Sequence, residues 1–240
     1  MKTIGLIGGM SFESTAVYYR MINEAVRVRR GALRSADIVL HSVDFQDIVD
    51  LQKAGRWDRA GERLGAVAKG LENAGAACAL ICTNTMHLVA DTVQAAISVP
   101  LINIIDETAR TLRAAGRCRP LLLATRYTME HGFYAKQMAR HDVTVMVPSA
   151  DDRTTVHDVI FDELCAGRIL DASRDRLLAI VQKAKEAGAD SVILGCTEIC
   201  LILDPENLPL PGFDSTAIHA AAAVDFALGE LNGQSATIAA

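Results

Sequence analysis

Two turns with chemically capable side chains follow two short apolar runs of the chain. Residues 195–198 read Gly-Cys-Thr-Glu and follow the run at 191–194, while residues 82–85 read Cys-Thr-Asn-Thr and follow the run at 78–81. A thiol between a buried strand and a helix start is close to amide N–H groups and the helix dipole, which favour the thiolate. We therefore expect Cys196 to be an acid–base thiolate, although a lone cysteine after a strand is often a small core residue.

The turn around Asn84 carries groups that suit a carboxylate ligand. Thr83, Asn84 and Thr85 offer hydroxyls, an amide and backbone N–H groups at a helix start. Asn84 and Thr85 could also simply cap the helix that follows, and both roles can hold together. Residues 8–11, Gly-Gly-Met-Ser, form a third such loop, but they lack the spacing of a dinucleotide or phosphate loop.

Short apolar runs alternate along the chain with longer stretches of helical periodicity. This alternation predicts a three-layer α/β fold in which parallel strands are covered on both faces. The predicted strands are residues 3–7, 37–43, 78–81, 101–104, 120–124, 143–147, 191–194 and 210–213. The predicted helices are residues 11 or 14 to about 29, then 57–73, 85–96, 106–115, 128–140, 154–166, 173–187 and 216–231.

The two turns belong to two similar segments. Residues 71–85 and 185–198 both read as a helix end, Gly-Ala, a strand and a Thr-containing polar turn. The similarity predicts two pseudosymmetric α/β domains, the first from residues 1–98 plus 208–240 and the second from 99–207. Ligands of such sheets bind beyond the carboxyl ends of the strands, so we expect the active site in a cleft between the domains.

Composition excludes several classes of function. Of the 240 residues 22% are charged, and 24 basic against 29 acidic side chains give a net charge of -5, which argues against a nucleic-acid or membrane-surface binder. The apolar stretch at residues 4–7 is too short for a signal peptide or a membrane span, so we expect a cytoplasmic protein. The six cysteines are expected to be reduced, and the two pairs four residues apart do not match a zinc site.

The chain resembles the aspartate/glutamate racemase family of cofactor-independent racemases. The resemblance extends from residues 2–10 (Lys-Thr-Ile-Gly-Leu-Ile-Gly-Gly-Met) through 84–85 (Asn-Thr) and 124–125 (Ala-Thr) to 195–198. It implies a two-domain pseudosymmetric α/β fold in which one cysteine of each domain flanks the Cα of an amino acid. One thiolate removes the α-proton and the other thiol reprotonates the opposite face, without pyridoxal phosphate.

One departure from the family pattern concerns the first cysteine. Family members typically read Cys-Asn-Thr there, whereas Thr83 precedes Asn84 in this chain and Cys82 lies one place earlier. Cys196 lies eight positions after Gly188 and Thr83 eight after Gly75, so Thr83 occupies the place of the partner thiol. Strand side chains alternate between faces, which would turn Cys82 away unless a bulge intervenes. This resembles the asymmetric Thr/Cys subgroup, some of whose members favour L-aspartate or L-glutamate.

A second departure concerns substrate specificity. Aspartate-specific relatives carry basic residues at two places that here hold Ile48 and Cys165. A side-chain carboxylate would then have to be bound by other residues, or the substrate is a neutral amino acid. The other candidates for binding that carboxylate are Gln46, Gln52, Arg56 and Arg126.

The sequence thus predicts an amino-acid racemase with Cys196 and Thr83 as catalytic residues and Cys82 as the alternative to Thr83. It predicts no cofactor and no metal, an amino acid as the small-molecule partner, and a homodimer. The rival functions are a broad-specificity racemase of neutral amino acids, a single-cysteine decarboxylase or isomerase of the same superfamily, and a non-catalytic amino-acid sensor. The predicted substrate-binding residues are Met10, Gln46, Asn84, Thr85, Thr125, Thr197 and Glu198.

Overall fold

The computed structural model describes residues 1–229 and contains two sheets of parallel strands. The strands are β1 (Ile4–Gly8), β2 (Ile38–Ser42), β3 (Cys78–Ile81), β4 (Leu101–Ile102), β5 (Pro120–Leu123), β6 (Ser191–Leu194) and β7 (Gly212–Asp214). The α-helices are α1 (Phe12–Arg30), α2 (Phe45–Lys53), α3 (Trp57–Asn73), α4 (Ala90–Ala95), α5 (Ile104–Ala114), α6 (Arg126–Glu130), α7 (Phe133–Ala139), α8 (Ala150–Asp158), α9 (Asp171–Glu186) and α10 (Ser215–Leu228). Shorter 3-10 turns span Thr85–Val89, Leu164–Ala166, Thr197–Leu201 and Pro205–Asn207, and a π-helical turn spans Val159–Glu163. The predicted α/β class with parallel sheets is confirmed.

The strand order of the second sheet, which has three strands, corresponds to that of the first, which has four. The first sheet runs β2-β1-β3-β4, and the second runs β5-β6-β7. Beside β5, on the side away from β6, the backbone of Met146 exchanges hydrogen bonds of 2.8 Å with Pro120 and Leu122. Met146 therefore takes the place next to β5 that β2 takes next to β1, and β3 and β6 occupy equivalent positions. The predicted repeat of two α/β modules is visible in this order.

The strands that lead to the candidate site are buried on both faces. Every residue of β1, β3, β5 and β6 is buried. A fully buried leucine or isoleucine contributes about 1.5–3 kcal/mol relative to exposure. Strands that are buried on both faces therefore need an unbroken run of apolar residues.

Several predicted elements differ in the structure. Residues 143–147 form a single bridge at Met146 rather than a strand. The predicted helix 128–140 is broken into α6 and α7 at Gly132, whose φ of +74° no helix can continue. The strand predicted at 101–104 ends at Ile102, because the Asn103 side chain accepts a hydrogen bond from Ile105 N at 2.9 Å and begins α5. Helix α2, capped by Asp44, was not predicted.

Two further helices also depart from their predicted bounds. The segment predicted as one helix at 85–96 begins with the 3-10 turn Thr85–Val89 and continues as α4. The helix predicted at 154–166 begins earlier, as α8, where Ser149 accepts from Asp152 N at 3.3 Å, and it ends in the π and 3-10 turns. The predicted end of the last helix at residue 231 lies outside the described residues.

The described chain separates into two compact units. The first unit comprises Met1–Cys82, Asp91–Ile102 and the described chain from Ala220, and the second comprises Thr83–Ala90 and Asn103–His219. The predicted boundaries assign residues 83–90 and 208–219 to the first domain, whereas the structure groups them with the second unit, where β7 pairs with β6. Residues 99–102 were predicted in the second domain and lie in the first unit. No helix within residues 1–229 is long and apolar enough to cross a membrane.

Candidate active site

Cys196 is positioned by Gly195, the glycine that directly follows β6. A Cβ added to Gly195 would lie 2.9 Å from Leu122 Cδ1 and 3.2 Å from the carbonyl oxygen of Leu123. The Gly195 N–H donates to that same carbonyl at 2.8 Å. Because a larger residue would push β6 away from β5, this glycine keeps the strand end in register and fixes where Cys196 leaves the sheet.

The Cys196 thiol donates a hydrogen bond to a carboxylate. Its Sγ lies 2.8 Å from Oε2 of Glu198, and the Thr197 hydroxyl donates to the same oxygen at 2.7 Å. Burial, followed by the charge and hydrogen bond of Glu198, raises the pKa of Cys196 well above its usual value. The resting group is therefore a thiol with its proton directed at a carboxylate.

The expectation of a thiolate stabilised by a helix start is wrong. The segment after Cys196 is a five-residue 3-10 turn, Thr197–Leu201, which supplies only a small dipole. An adjacent carboxylate and burial both disfavour a second negative charge. Cys165 experiences the same two effects, since burial and then the charge of Glu198 raise its pKa to about 11.

A buried amide lies in the second polar turn. Asn84 Nδ2 donates to Ser215 Oγ at 3.1 Å, and Ser215 Oγ donates to the carbonyl oxygen of Leu194 at 2.9 Å. This chain ties the turn after β3 to the last residue of β6. Within residues 1–229 no donor lies within hydrogen-bond distance of the buried Asn84 Oδ1, so this oxygen can accept from a ligand.

Three threonine hydroxyls form a closed set beside Asn84. Thr85 Oγ1 lies 3.1 Å from Thr125 Oγ1 and 3.0 Å from Thr128 Oγ1, and the last two are 3.2 Å apart. Thr85 and Thr128 are buried and Thr125 is half-buried. Two predicted site residues, Thr85 and Thr125, are thus brought together.

Sequence reasoning missed Ser215 and Thr128. Ser215 directly follows β7 at the carboxyl end of a parallel strand. This is the kind of position that could have identified it. Thr128 carried no such signal, because it lies inside α6.

Cys82 lies in the core of the first unit. Its side chain is fully buried in the cluster that contains Ile4, Leu6 and Leu80, and burial raises its pKa far above the usual range. Thr83, the next residue, is half-buried and belongs to the second unit. This arrangement agrees with the alternation of side chains along β3.

The other predicted residues of the first unit have partners of their own. Met10 is buried. The Gly9 N–H beside it was expected to bind a ligand, but it donates a hydrogen bond to Thr15 Oγ1 at 2.8 Å instead. Gln46 Nε2 donates to Asp50 at 2.7 Å on the surface of α2. Ile48 is fully buried in the same helix. Arg56, a candidate for the substrate's side-chain carboxylate, instead pairs with Asp58.

Metal-binding geometry is absent from the part of the chain that the structure describes, since no three His, Cys, Asp or Glu side chains there could hold an ion.

A sequence model of the Asp/Glu/hydantoin racemases matches residues 7–223. The chain belongs to this family. The match covers both polar turns and the strands that lead to them.

Solved structures agree with this assignment. The chain is 47% identical, with a TM-score of 0.91, to a candidate Asp/Glu racemase from Yersinia pestis, over 95% of this chain and 100% of that one. It is 32% identical, with a TM-score of 0.85 and the same coverage, to an aspartate racemase homologue from Pyrococcus horikoshii OT3. Arylmalonate decarboxylase, at 17% identity and a TM-score of 0.55 over 100% of this chain and 97% of that one, shares the fold alone.

Proposed function

We propose that this racemase-family protein inverts the Cα of an amino acid, with Cys196 and Thr83 serving opposite faces. The observation that carries the proposal is the Cys196 thiol hydrogen-bonded to Glu198 at 2.8 Å, in the same unit as the polar turn of Asn84. A thiol must lose its proton to a base before its thiolate can remove an α-proton. In this proposal the Glu198 carboxylate, 2.8 Å from the thiol, is that base.

Proton balance assigns the roles. In one direction Cys196 gives its proton to the carbanion, becomes a thiolate and regains a proton from water. In the other direction its proton first passes to Glu198, the thiolate then removes the α-proton, and Glu198 releases its proton to water. Thr83 is a far poorer base than a thiolate, so on its face a water hydrogen-bonded to the Thr83 hydroxyl takes up the α-proton or delivers one to the carbanion.

The polar groups around these residues bind the rest of the substrate in this proposal. Asn84 Oδ1, which lacks a donor within the described residues, accepts a hydrogen bond from the α-ammonium. Backbone N–H groups of Thr85 and Thr197 hold the α-carboxylate and stabilise the enediolate charge that develops as the proton leaves. Thr125 supports Thr85 through their hydrogen bond of 3.1 Å.

The proposed substrate is L-aspartate or L-glutamate, with neutral amino acids as the alternative. The names of the family and of its solved members support an acidic substrate. Buried Ile48, and Cys165 at a place where the family resemblance implies a basic residue, support a neutral one. Met10 and Gln46 stay predictions as further substrate contacts. Independence of added cofactor, a homodimeric state and a cytoplasmic location stay predictions.

A second candidate function is supported by the protonated state of Cys196. A decarboxylase or isomerase of this fold needs a single thiol that delivers a proton to one face. In this chain a threonine, Thr83, stands at the place of the second thiol. Such an enzyme would protonate an enolate after carbon dioxide leaves, and would not exchange the α-proton of an amino acid. A binding protein would show neither reaction.

Incubation of the reduced protein with each proteinogenic amino acid in deuterated water separates these functions. We expect deuterium at Cα together with the opposite enantiomer, strongest with aspartate or glutamate and without added cofactor. Cys196→Ser is the matched control, and its exchange should be lower by about 10²–10⁴-fold. Loss of carbon dioxide from a substituted malonate without any exchange would favour the decarboxylase, and binding without either reaction would leave only a sensor.

A further inference from the structure

His87 is a buried side chain with two backbone partners. Its Nδ1 lies 2.9 Å from the carbonyl oxygen of Thr83, and the N–H of Ile104 donates to its Nε2 at 3.2 Å. A carbonyl can only accept and a backbone N–H can only donate, so Nδ1 carries the proton and Nε2 the lone pair. The two contacts therefore select one tautomer.

The ring is neutral in the folded protein. Burial lowers the pKa of His87 to about 4, against smaller opposing effects of the hydrogen bond to the Thr83 backbone and of the charge of Asp106. Its aromatic neighbour is His219, whose ring centroid lies 5.8 Å away. A second proton on Nε2 would face the N–H of Ile104, so protonation would break one of the two contacts.

These contacts join the turn after β3 to the first residue of α5. The Thr83 carbonyl belongs to the peptide group that links Thr83 to Asn84, so holding it orients both residues. The backbone N–H of His87 also donates to the carbonyl oxygen of Asn84 at 3.1 Å. His87 thus fixes two successive carbonyl groups of the turn.

We propose that His87 is a positioning residue that orients Thr83 and Asn84 for proton transfer at one face of the substrate. This inference rests on the proposed racemase function. Cys196 is held instead by Gly195 and Glu198, which both follow β6. Loosening His87 should therefore impair the face served by Thr83 and leave the face served by Cys196.

The test measures two rates for each enantiomer in deuterated water: exchange with retention and inversion. The variants are His87→Leu, which has no donor, and His87→Asn, whose amide can donate to the Thr83 carbonyl from near the Nδ1 position. His141→Asn is the matched control, because His141 contacts Asp106 and not the turn. The ratio of the two rates does not depend on how much protein is folded.

We expect inversion by His87→Leu to fall on the order of 10²-fold, the effect of a displacement of about 1 Å, while exchange from the Cys196 face changes by less than about threefold. His87→Asn should restore most of the inversion, and His141→Asn should match the wild type. Proportional loss of exchange and inversion in His87→Leu would overturn the positioning role. If neither variant folds, nitrogen NMR of the wild-type ring decides, and a proton on Nε2 would overturn the proposal.

A failure of the proposed racemase function would give a different experimental result from a failure of the positioning role. A wild-type protein with neither exchange nor inversion would remove the racemase function, and the positioning role with it. An active wild type with an unchanged ratio in both His87 variants would remove the positioning role alone.

Discussion

Replacing Glu198 by glutamine should lower the pKa of Cys196. The Glu198 carboxylate accepts the thiol proton at 2.8 Å, and its charge and hydrogen bond are among the causes that hold the pKa of Cys196 well above its usual value. An anion next to a thiol disfavours the thiolate. Glutamine has nearly the same shape and no charge, so the substitution removes this repulsion and leaves the burial.

The size of the effect follows from the separation of the two groups. Two unit charges about 4 Å apart interact by about 4 kcal/mol at an effective dielectric constant of about 20, and by about 1 kcal/mol in bulk water. At about 1.36 kcal/mol per pKa unit, the pKa of half-buried Cys196 should fall by about one to three units. The thiolate fraction rises tenfold per unit and its intrinsic reactivity falls with a Brønsted coefficient of about 0.5, so alkylation at fixed pH should accelerate about 3-fold to 30-fold.

The assay is the rate of iodoacetamide alkylation at Cys196 across a pH series, read by mass spectrometry of its peptide. Peptide resolution separates this thiol from the other cysteines. Glu186→Gln is the matched control, because Glu186 is exposed on α9. Within the described residues its side chain has one hydrogen-bond partner, Gln182. An alkylation profile of Glu198→Gln that equals the control, or that moves to higher pH, would refute the assignment of Glu198 as a cause of the raised pKa.

Three further predictions concern the same site. Cys196→Ser should reduce exchange of the α-proton by about 10²–10⁴-fold, whereas Cys82→Ser should leave most of it; equal losses in the exchange assay would contradict the separation of roles. Racemisation has an equilibrium constant of one, so kcat and KM should differ together between enantiomers, and steady-state kinetics of Thr83→Cys should bring the two sets of constants closer. Gly195→Ala should lower the free energy of unfolding in urea by about 1–3 kcal/mol through overpacking, whereas Gly70→Ala, with open space around it in α3, should stabilise by about 0.5–1 kcal/mol.

The sequence predicted the bounds of the two strands next to the site almost to the residue. The predicted runs 78–81 and 191–194 are the observed β3 and β6, because strands covered on both faces need uninterrupted apolar sequence. The run at 143–147 was equally apolar but forms one bridge beside β5, since a hydrophobic run does not say how much of it will pair. Helix α2 was missed because it is short and more than half of its residues are polar, with only Ile48 buried.

By itself the sequence determined the chemical types at the two turns, the α/β class, the repeat of the module and the family. These features depend on the local pattern of residues along the chain. That pattern consists of the periodicity of apolar residues, the positions of glycines and the spacing between Gly188 and Cys196. Tertiary structure decided the protonation of Cys196, the partners of Asn84 and the tautomer of His87. A pKa depends on burial and on charges brought near by folding, and a hydrogen bond such as Asn84 to Ser215 joins residues 131 positions apart, a separation that no local pattern encodes.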